Sequence, residues 1–309
     1  MAETLPLVTV LLSTYNGAQY LAAQVDSILA QQGVQVQLRI RDDGSADETA
    51  QLLHAYAQHE NVTVAYGQNE GWKASFTDLM HAAPVIPDSF YAFADQDDVW
   101  HPDKLAAAVA KLADQTTPMV YHGNVAIMDG DMQFLGNRFA ADFDPNQHFP
   151  ESFLDGWGVG ATMVFNATML RLIQKYHPTQ ATNHDALVMA LGNLLGTVVY
   201  DPKAHISYRR HAGTATGFGQ NASAIKPTLM DRYRRYSKGP KHQFSVRAAA
   251  LLAGWQSQLA PEQIQVLTAV ASYRQHFGAK LRLLFDPRFR ASGARKTLQV
   301  KYRVLMNTL

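Results

Sequence analysis

Ala92-Phe93-Ala94-Asp95-Gln96-Asp97-Asp98-Val99-Trp100 is the stretch from which the fold is read. An apolar run, Phe90 to Ala94, drives into three carboxylates within four residues, and His101-Pro102 follows. Pro102 suits the first turn of a helix, where its missing N–H costs no hydrogen bond, and Leu105, Val109 and Leu112 then recur at helical spacing. The carboxylates are therefore expected at the end of a buried strand, where open α/β sheets place their ligands. Three neighbouring carboxylates repel one another unless a cation lies between them. Hard oxygen ligands select Mg²⁺ or Mn²⁺, which would in turn carry the phosphates of a substrate. A solvated acidic loop is the other reading of the same residues.

Upstream, Leu7 to Leu12 is apolar and β-branched on both parities, the pattern of a strand covered on both faces. It runs into the turn Ser13-Thr14-Tyr15-Asn16-Gly17, after which Leu21, Val25, Ile28 and Leu29 mark a helix face. A second strand, Val36 to Ile40, ends at Asp42-Asp43-Gly44-Ser45, and Ser45-Ala46-Asp47-Glu48 is a capping box that predicts a helix start. A third strand, Val62 to Tyr66, is closed by Gly67-Gln68-Asn69-Glu70-Gly71, and a helix is expected from Trp72 to about His81. This alternation predicts right-handed βαβ units: an α/β, Rossmann-like, mostly parallel sheet with helices on both faces. Four successive strand ends then carry Thr14-Tyr15-Asn16, Asp42-Asp43, Asn69-Glu70 with Lys73, and Asp95/Asp97/Asp98. Such an edge offers an aromatic to stack a base, acceptors for base and ribose, and a metal seat. No Gly-x-Gly-x-x-Gly follows the first strand and no Gly-Lys-Ser/Thr loop appears, so phosphates fall to a metal and to side chains.

With 309 residues, 47% hydrophobic and 17% charged, the chain has the composition of a globular protein large enough for one or two domains. The absence of cysteine excludes disulfides, thiolate catalysis and cysteine-based zinc sites. Val8 to Leu12 is too short for a signal core, and no apolar run reaches bilayer length. The expected location is the cytoplasm, free or peripheral at the inner face of the membrane. The net charge of +1 conceals an asymmetry: from Asp231 to Leu309 there are 15 Lys/Arg against 3 Asp/Glu, so an acidic body carries a basic tail.

Ser-Thr-Tyr-Asn-Gly, Asp-Asp-Gly-Ser, and Asp-Gln-Asp-Asp-Val-Trp with Pro-Asp-Lys-Leu together resemble the family-two glycosyltransferases of GT-A fold, and most closely their bacterial rhamnosyltransferase-like branch. Asn183-His184-Asp185 and Tyr208-Arg209-Arg210-His211 are similar to elements of that branch, so the resemblance covers about residues 5–217. It implies a pocket for a nucleotide-diphospho-sugar in which Thr14 and Tyr15 hold the base, Asp42 reads its ring edge, and Asp97 lies between ribose and metal. It also implies that Asp185 is the general base. Where the branch usually carries a serine-aspartate pair, this chain has His122-Gly123.

The second half is expected to shape the acceptor side. Met119 to Tyr121 is a strand, and Val125 to Met128 meets the turn Asp129-Gly130-Asp131, suggesting a hairpin. Gly156-Trp157-Gly158-Val159-Gly160 is a loop whose Trp157 could stack on a sugar, with His184 beside the same site. His184-Asp185 opens an apolar helix, where a carboxylate would ordinarily only cap. Ala204 to Ser207 is a short strand; Arg209 or Arg210 after it could neutralise a leaving diphosphate, and His211 could be a further metal ligand. Gly219, Asn221, Ser223 and Pro227 mark a linker, so residues 1–218 form the expected catalytic domain and 219–309 a helical extension. In it, Val246, Ala250, Leu251 and Trp255 share a face, and Pro261-Glu262 starts a helix through Val266, Val270, Tyr273 and Phe277. With the cluster Arg232, Arg234, Arg235, Lys238 and Lys241, this segment could lie on an anionic membrane, or it could be a helical cap on the domain with its charge turned to water. Nucleic acid is disfavoured, since the rest of the chain is acidic and carries no recognition motif.

The expected activity is inverting, metal-dependent transfer of rhamnose or a similar hexose to a hydroxyl of a bacterial surface glycan. The expected donor contacts are Thr14, Tyr15, Asn16, Asp42, Asn69, Lys73, Asp97, Arg209 and Arg210. Asp95, Asp97, Asp98 and His211 are the metal candidates, with Trp157 and His184 toward the acceptor. A nucleotidyltransferase, or a sugar-nucleotide-binding subunit without turnover, would use the same pocket. A glycosidase is disfavoured, because adjacent Asp97 and Asp98 cannot flank a glycosidic bond.

Overall fold

The computed structural model describes residues 4–112, 116–180, 182–210 and 241–309. Its first half is the alternation read above: β1 (Leu7–Thr14), α1 (Leu21–Leu29), β2 (Gln35–Asp42), α2 (Thr49–Tyr56), β3 (Val62–Tyr66), α3 (Trp72–Ala82) and β4 (Phe90–Ala94). The chain continues through β5 (Val99–Trp100), α4 (Lys104–Lys111), β6 (Met119–Met128), β7 (Phe134–Asn137), α5 (Glu151–Asp155), β8 (Val164–Asn166), α6 (Ala167–Ile173), α7 (His184–Leu195) and β9 (Thr197–Arg209). Four helices close it: α8 (Gln243–Trp255), α9 (Pro261–Ser272), α10 (Phe277–Phe285) and α11 (Ala294–Leu305).

The strands form one sheet in the order β3-β2-β1-β4-β8-β6-β9-β5, with β7 beside β6. β3, β2, β1 and β4 run parallel. The second half is mixed, because β8 enters antiparallel between β4 and β6, while β6 and β9 pair in parallel. The hairpin around Asp129-Gly130-Asp131 is present as β6 and β7. The segment Ala204 to Ser207 proves to be the far end of a 13-residue strand, β9.

Period-two alternation explains why the strands are apolar on both parities. Leu11, Tyr91, Phe93 and Phe165 face one layer with α3, α6 and α7. Val10, Leu12, Ala92, Ala94 and Val164 face the other with α1 and α4. The C-terminal helices join the first layer: Leu251, Trp255, Leu267, Val270 and Val304 are buried in the same cluster as Phe93 and Leu187. Trp255 donates its indole N–H to the Leu172 carbonyl at 2.9 Å, satisfying the polar edge of a fully buried ring.

Two local expectations are corrected. Helix α2 starts at Thr49, not at Ser45, because Ser45 is drawn into the site loop: its hydroxyl donates to Asp42 and accepts the Asn16 N–H at 2.8 Å. The helix predicted to run through Phe277 stops at Ser272, and Phe277 opens a new one with its ring exposed.

Candidate active site

A chamber of about 530 Å³ opens at the C-terminal ends of β1, β2 and β4. Ser13, Tyr15, Asp43, Asp95, Gln96 and Asp97 form its sheet side, and Trp72, Phe76, His184 and Asp185 its helical side. Arg138 and Tyr208 also line it. A smaller chamber of about 190 Å³ adjoins it, sharing Gly156, Gly158, Asn183, Asp185 and Gln243 as walls. Asp185 thus borders both.

The acidic stretch divides its labour. Asp95 and Asp97 face the large chamber. Burial first, then the nearby charges of Asp97 and Asp185, raise the Asp95 carboxyl well above the ordinary carboxylate range. Gln96 is a clamp: its Oε1 accepts the Thr14 hydroxyl at 2.7 Å and the Tyr15 N–H at 2.8 Å, while its Nε2 donates to the Tyr15 carbonyl at 3.2 Å. Tyr15 is thereby held at the chamber rim with its ring partly in solvent.

Asp98 turns the other way. It is fully buried, and its Oδ1 accepts the backbone N–H of Arg209 at 3.1 Å. Burial and the Asp97 and Asp95 charges raise its carboxyl, while the Arg209 N–H and then the Lys104 charge pull it down. Lys104 is itself buried, its ammonium 3.4 Å from the Trp100 ring centre. Among the described residues no three carboxylate or imidazole groups gather closely enough to hold a metal by themselves. The arrangement fits a metal in a narrower way. Asp95 and Asp97 line the same chamber closely enough for the charge of Asp97 to act on Asp95, and Mg²⁺ or Mn²⁺ sites commonly use one or two carboxylates completed by substrate phosphates and water. His211 lies outside the described residues.

Several expected donor contacts serve the scaffold. Asn16, at a positive φ of 47°, accepts the Ala46 N–H through its Oδ1 at 2.8 Å and ties the first two loops. Asp42 is buried and accepts the Ser45 N–H at 3.2 Å. Its neighbour Asp43 reaches the chamber instead, pairs with Arg41, and accepts the Glu70 and Gly71 N–H groups at 3.1 and 2.8 Å. Asn69 is exposed and Lys73 leans toward the Trp72 ring, 5.5 Å from its centre, and neither lines the chamber. Arg209 braces the acidic loop, with Nε donating to the Asp97 carbonyl at 3.1 Å and Nη1 to Gly130 at 2.9 Å. Arg210 is buried and donates its backbone N–H to Met128 at 3.0 Å.

On the opposite wall, His184 stacks on Phe76 at 3.8 Å and meets Phe93 edge-on at 4.6 Å. Its ring nitrogens are buried without hydrogen-bond partners, and burial lowers its pKa to about 4, so the ring is neutral. Gly160 makes room for this wall: a Cβ there would lie 2.8 Å from His184 Nε2 and 3.3 Å from Asp185 Cβ. Asp185 Oδ1 accepts the Ala186 N–H at 2.6 Å. Trp157 borders the smaller chamber, but Lys296 from α11 sits 3.3 Å from its ring centre, so that face is not an open platform.

Sequence reasoning missed Gln96, Arg138 and Arg247, and of the pair Asp42-Asp43 it chose the one that does not line the chamber. Arg247 is the one charged residue of α8, and it lines the smaller chamber. Its guanidinium lies 4.3 and 5.0 Å from the Phe153 and Phe244 ring centres and donates to the Phe153 carbonyl at 2.6 Å. Its Nε is buried without a partner, burial lowers its pKa to about 10, and Asp185 acts on it in the opposite sense. The legible signal was that lone charge in an otherwise uncharged helix.

The sequence profile of Glycosyl transferase family 2 matches residues 9–174, more than half of the chain. An uncharacterized glycosyltransferase of Rickettsia prowazekii is 23% identical, over 80% of this chain and 80% of its own. The dTDP-rhamnosyl transferase RfbG of Shigella flexneri is 24% identical over 67% of this chain and 73% of its own. Among solved structures, S. aureus TarS 1-349 in complex with UDP-GlcNAc superposes with a TM-score of 0.55 at 16% identity, covering 97% of this chain and 81% of that one. The mannosyltransferase PcManGT of Pyrobaculum calidifontis, in complex with GDP-Man and Mn²⁺, gives 0.50 at 17% identity over 99% and 86%. These likenesses agree with the GT-A architecture. With the carboxylate-lined chamber at its parallel strand ends, the chain belongs to glycosyl transferase family 2 and is a glycosyltransferase.

Proposed function

We propose that the protein is an inverting glycosyltransferase that moves a hexose, rhamnose being the leading candidate, from a nucleotide-diphospho-sugar to a hydroxyl of a bacterial surface glycan. One observation carries the reading: Asp95 and Asp97 on one wall and Asp185 on the other face a single chamber, and Asp185 also opens onto the smaller one. The base would stack at Tyr15, in the loop that Gln96 clamps. Asp95 and Asp97 would hold Mg²⁺ or Mn²⁺, which supplies positive charge to the departing diphosphate. Arg138, lining the same chamber, adds a fixed cation there. The acceptor would enter through the smaller chamber, where Arg247 and Asn183 can orient it.

Asp185 then takes the proton of the acceptor hydroxyl as its oxygen bonds to C1. The bond from C1 to the diphosphate oxygen breaks on the opposite face, and the nucleoside diphosphate keeps that electron pair. Neutral His184 and the aromatic groups around it keep this wall dry, strengthening the electrostatics inside. Rhamnose is supported by the likeness to RfbG and by the resemblance of the motifs to that branch. Residues 1–218 would form the transferase domain and 219–309 an extension whose basic character would bring the enzyme to an anionic membrane.

A thermal-shift screen of nucleotide sugars with and without Mn²⁺ identifies the donor, since specific ligands stabilise by mass action. Product analysis then decides the chemistry. Nucleoside diphosphate release with an inverted anomeric centre supports the reading; pyrophosphate release, or donor binding with neither transfer nor slow donor hydrolysis, contradicts it.

A further inference from the structure

The last two helices expose an apolar face that the interior does not use. Phe277, Leu281 and Phe285 recur at i, i+4 and i+8 on α10, and Phe277 and Phe285 are 73% and 76% exposed. On α11, Leu298, Tyr302 and Leu305 make a second stripe, with Leu298 71% exposed. The opposite sides of both helices are buried through Leu283, Val300 and Val304.

Two lysine tethers fix how the stripes lie. Lys280 donates its ammonium to the Leu305 carbonyl at 2.8 Å, and Lys301 donates to the Leu284 carbonyl at 2.8 Å. Residue 280 thus meets 305 while 284 meets 301, so the helices run antiparallel. Leu281 and Tyr302 each follow a tether lysine by one residue. In an antiparallel pair, a one-residue step of about 100° turns both helices toward the same outer side. The two stripes therefore form one face.

Exposed large apolar residues scattered singly need no explanation, but a contiguous set does. Across residues 277–309 there are eight Lys/Arg and one Asp/Glu, and Arg282, Arg295 and Arg303 flank the stripes. Among the described residues no helix is long and apolar enough to cross a membrane. Aromatic and aliphatic side chains rimmed by cations, on helices too short to span, suit the boundary between headgroups and acyl chains.

We propose that the α10–α11 face docks the enzyme on the surface of an anionic lipid bilayer, with Phe277, Leu281 and Phe285 inserted below the headgroups and the flanking arginines paired with lipid phosphates. The membrane reading above rested on charge alone; this face adds an apolar anchor, and it rests on that reading only for the sign of the lipid charge.

The test is co-sedimentation of the full chain with phosphatidylcholine vesicles and with vesicles containing one-third phosphatidylglycerol, at low and high salt. The triple variant Phe277→Ser, Leu281→Ser, Phe285→Ser is run beside it, with melting curves and donor hydrolysis as controls for folding and for the transferase itself. Wild type should bind the anionic vesicles at least about tenfold more tightly than the neutral ones, and the triple variant should lose at least about tenfold on anionic vesicles with melting unchanged. Failure of wild type to bind overturns the proposal. So does binding that the triple substitution does not weaken, which would leave only charge attraction through other basic residues. A solution dimer that the triple variant dissociates, without lipid binding, overturns it in favour of a second copy of this chain.

Discussion

Arg209 holds Asp98 from the neighbouring strand: its backbone N–H donates to Asp98 Oδ1 at 3.1 Å, while its guanidinium Nε donates to the carbonyl of Asp97 at 3.1 Å. The end of β9 thus grips two consecutive residues of the acidic loop, of which Asp97 lines the chamber and Asp98 does not. One carboxylate is offered to the chamber and its neighbour is spent on the grip.

This separates two substitutions. Asp98→Asn keeps an oxygen for the Arg209 N–H, so metal-dependent donor affinity should fall by less than about threefold. Asp98→Ala removes the acceptor and leaves a buried N–H unpaired, at a cost of about 1–3 kcal/mol of stability. Calorimetry with the cognate donor, alongside denaturant titration, checks both. A large affinity loss in Asp98→Asn with intact stability would instead make Asp98 a direct ligand.

Arg247 should act on the acceptor and not on the donor. A guanidinium whose Nε is buried, with no carboxylate in ion-pair contact among the described residues, is costly unless a ligand completes it. Arg247→Met should leave donor hydrolysis unchanged and raise acceptor KM about tenfold, the size of one charge-assisted hydrogen bond, with Arg247→Lys in between. Steady-state kinetics in acceptor concentration is the check. Unchanged acceptor KM with a lowered melting temperature would make its role purely structural.

Buried neutral histidines set a pH limit. Burial lowers His184 and His122 to about 4 each, below their unfolded value of about 6.5. Between those values the unfolded chain binds protons that the folded chain refuses. Stability is therefore full above about pH 6.5 and is lost as pH falls toward 4. Each histidine would cost up to about 2 kcal/mol at pH 5. His184→Phe suits the ring cluster with Phe76 and Phe93 and should flatten part of this slope. Denaturant midpoints at pH 7.5 and 5 for both proteins measure it; equal slopes would contradict a neutral buried His184.

Trp255 ties the C-terminal helices into the layer under α6. Trp255→Ala should cost about 3–5 kcal/mol and lower the one transition that the whole chain shares. Two separate transitions in wild type, only one of them shifted by the substitution, would show that the extension folds apart.

The parallel half of the fold was legible because local pattern and tertiary need coincide there. Val10, Ala92 and Phe93 are apolar on both parities because both faces are covered. The direction of a side chain within a loop is not written in local pattern. Asp42 and Asp43 look equivalent in sequence, yet Asp42 accepts from its own turn and Asp43 faces the chamber. Ser45 reads as a helix cap until Asn16, 29 residues away, claims its hydroxyl. Arg138 and Arg247 reach the chambers from β7's exit and α8, at separations no local spacing encodes. Phe277 misled for the opposite reason: its spacing continues the α9 stripe, but the chain has already turned by Ser272 and the ring faces outward.

The central claim is that Asp185 removes the acceptor proton, and it is tested by Asp185→Asn. Asparagine keeps an oxygen for the Ala186 N–H, and Asp185 lies in the first turn of α7 behind the N-cap Asn183. The substitution therefore loses only a first-turn charge worth about 0.3–1 kcal/mol, so melting should shift little and donor affinity should match wild type. Turnover at saturating donor and acceptor should drop by at least about 10²-fold, the low end of general-base catalysis and about 2.7 kcal/mol on the barrier. Turnover near wild type with unchanged melting would contradict the account.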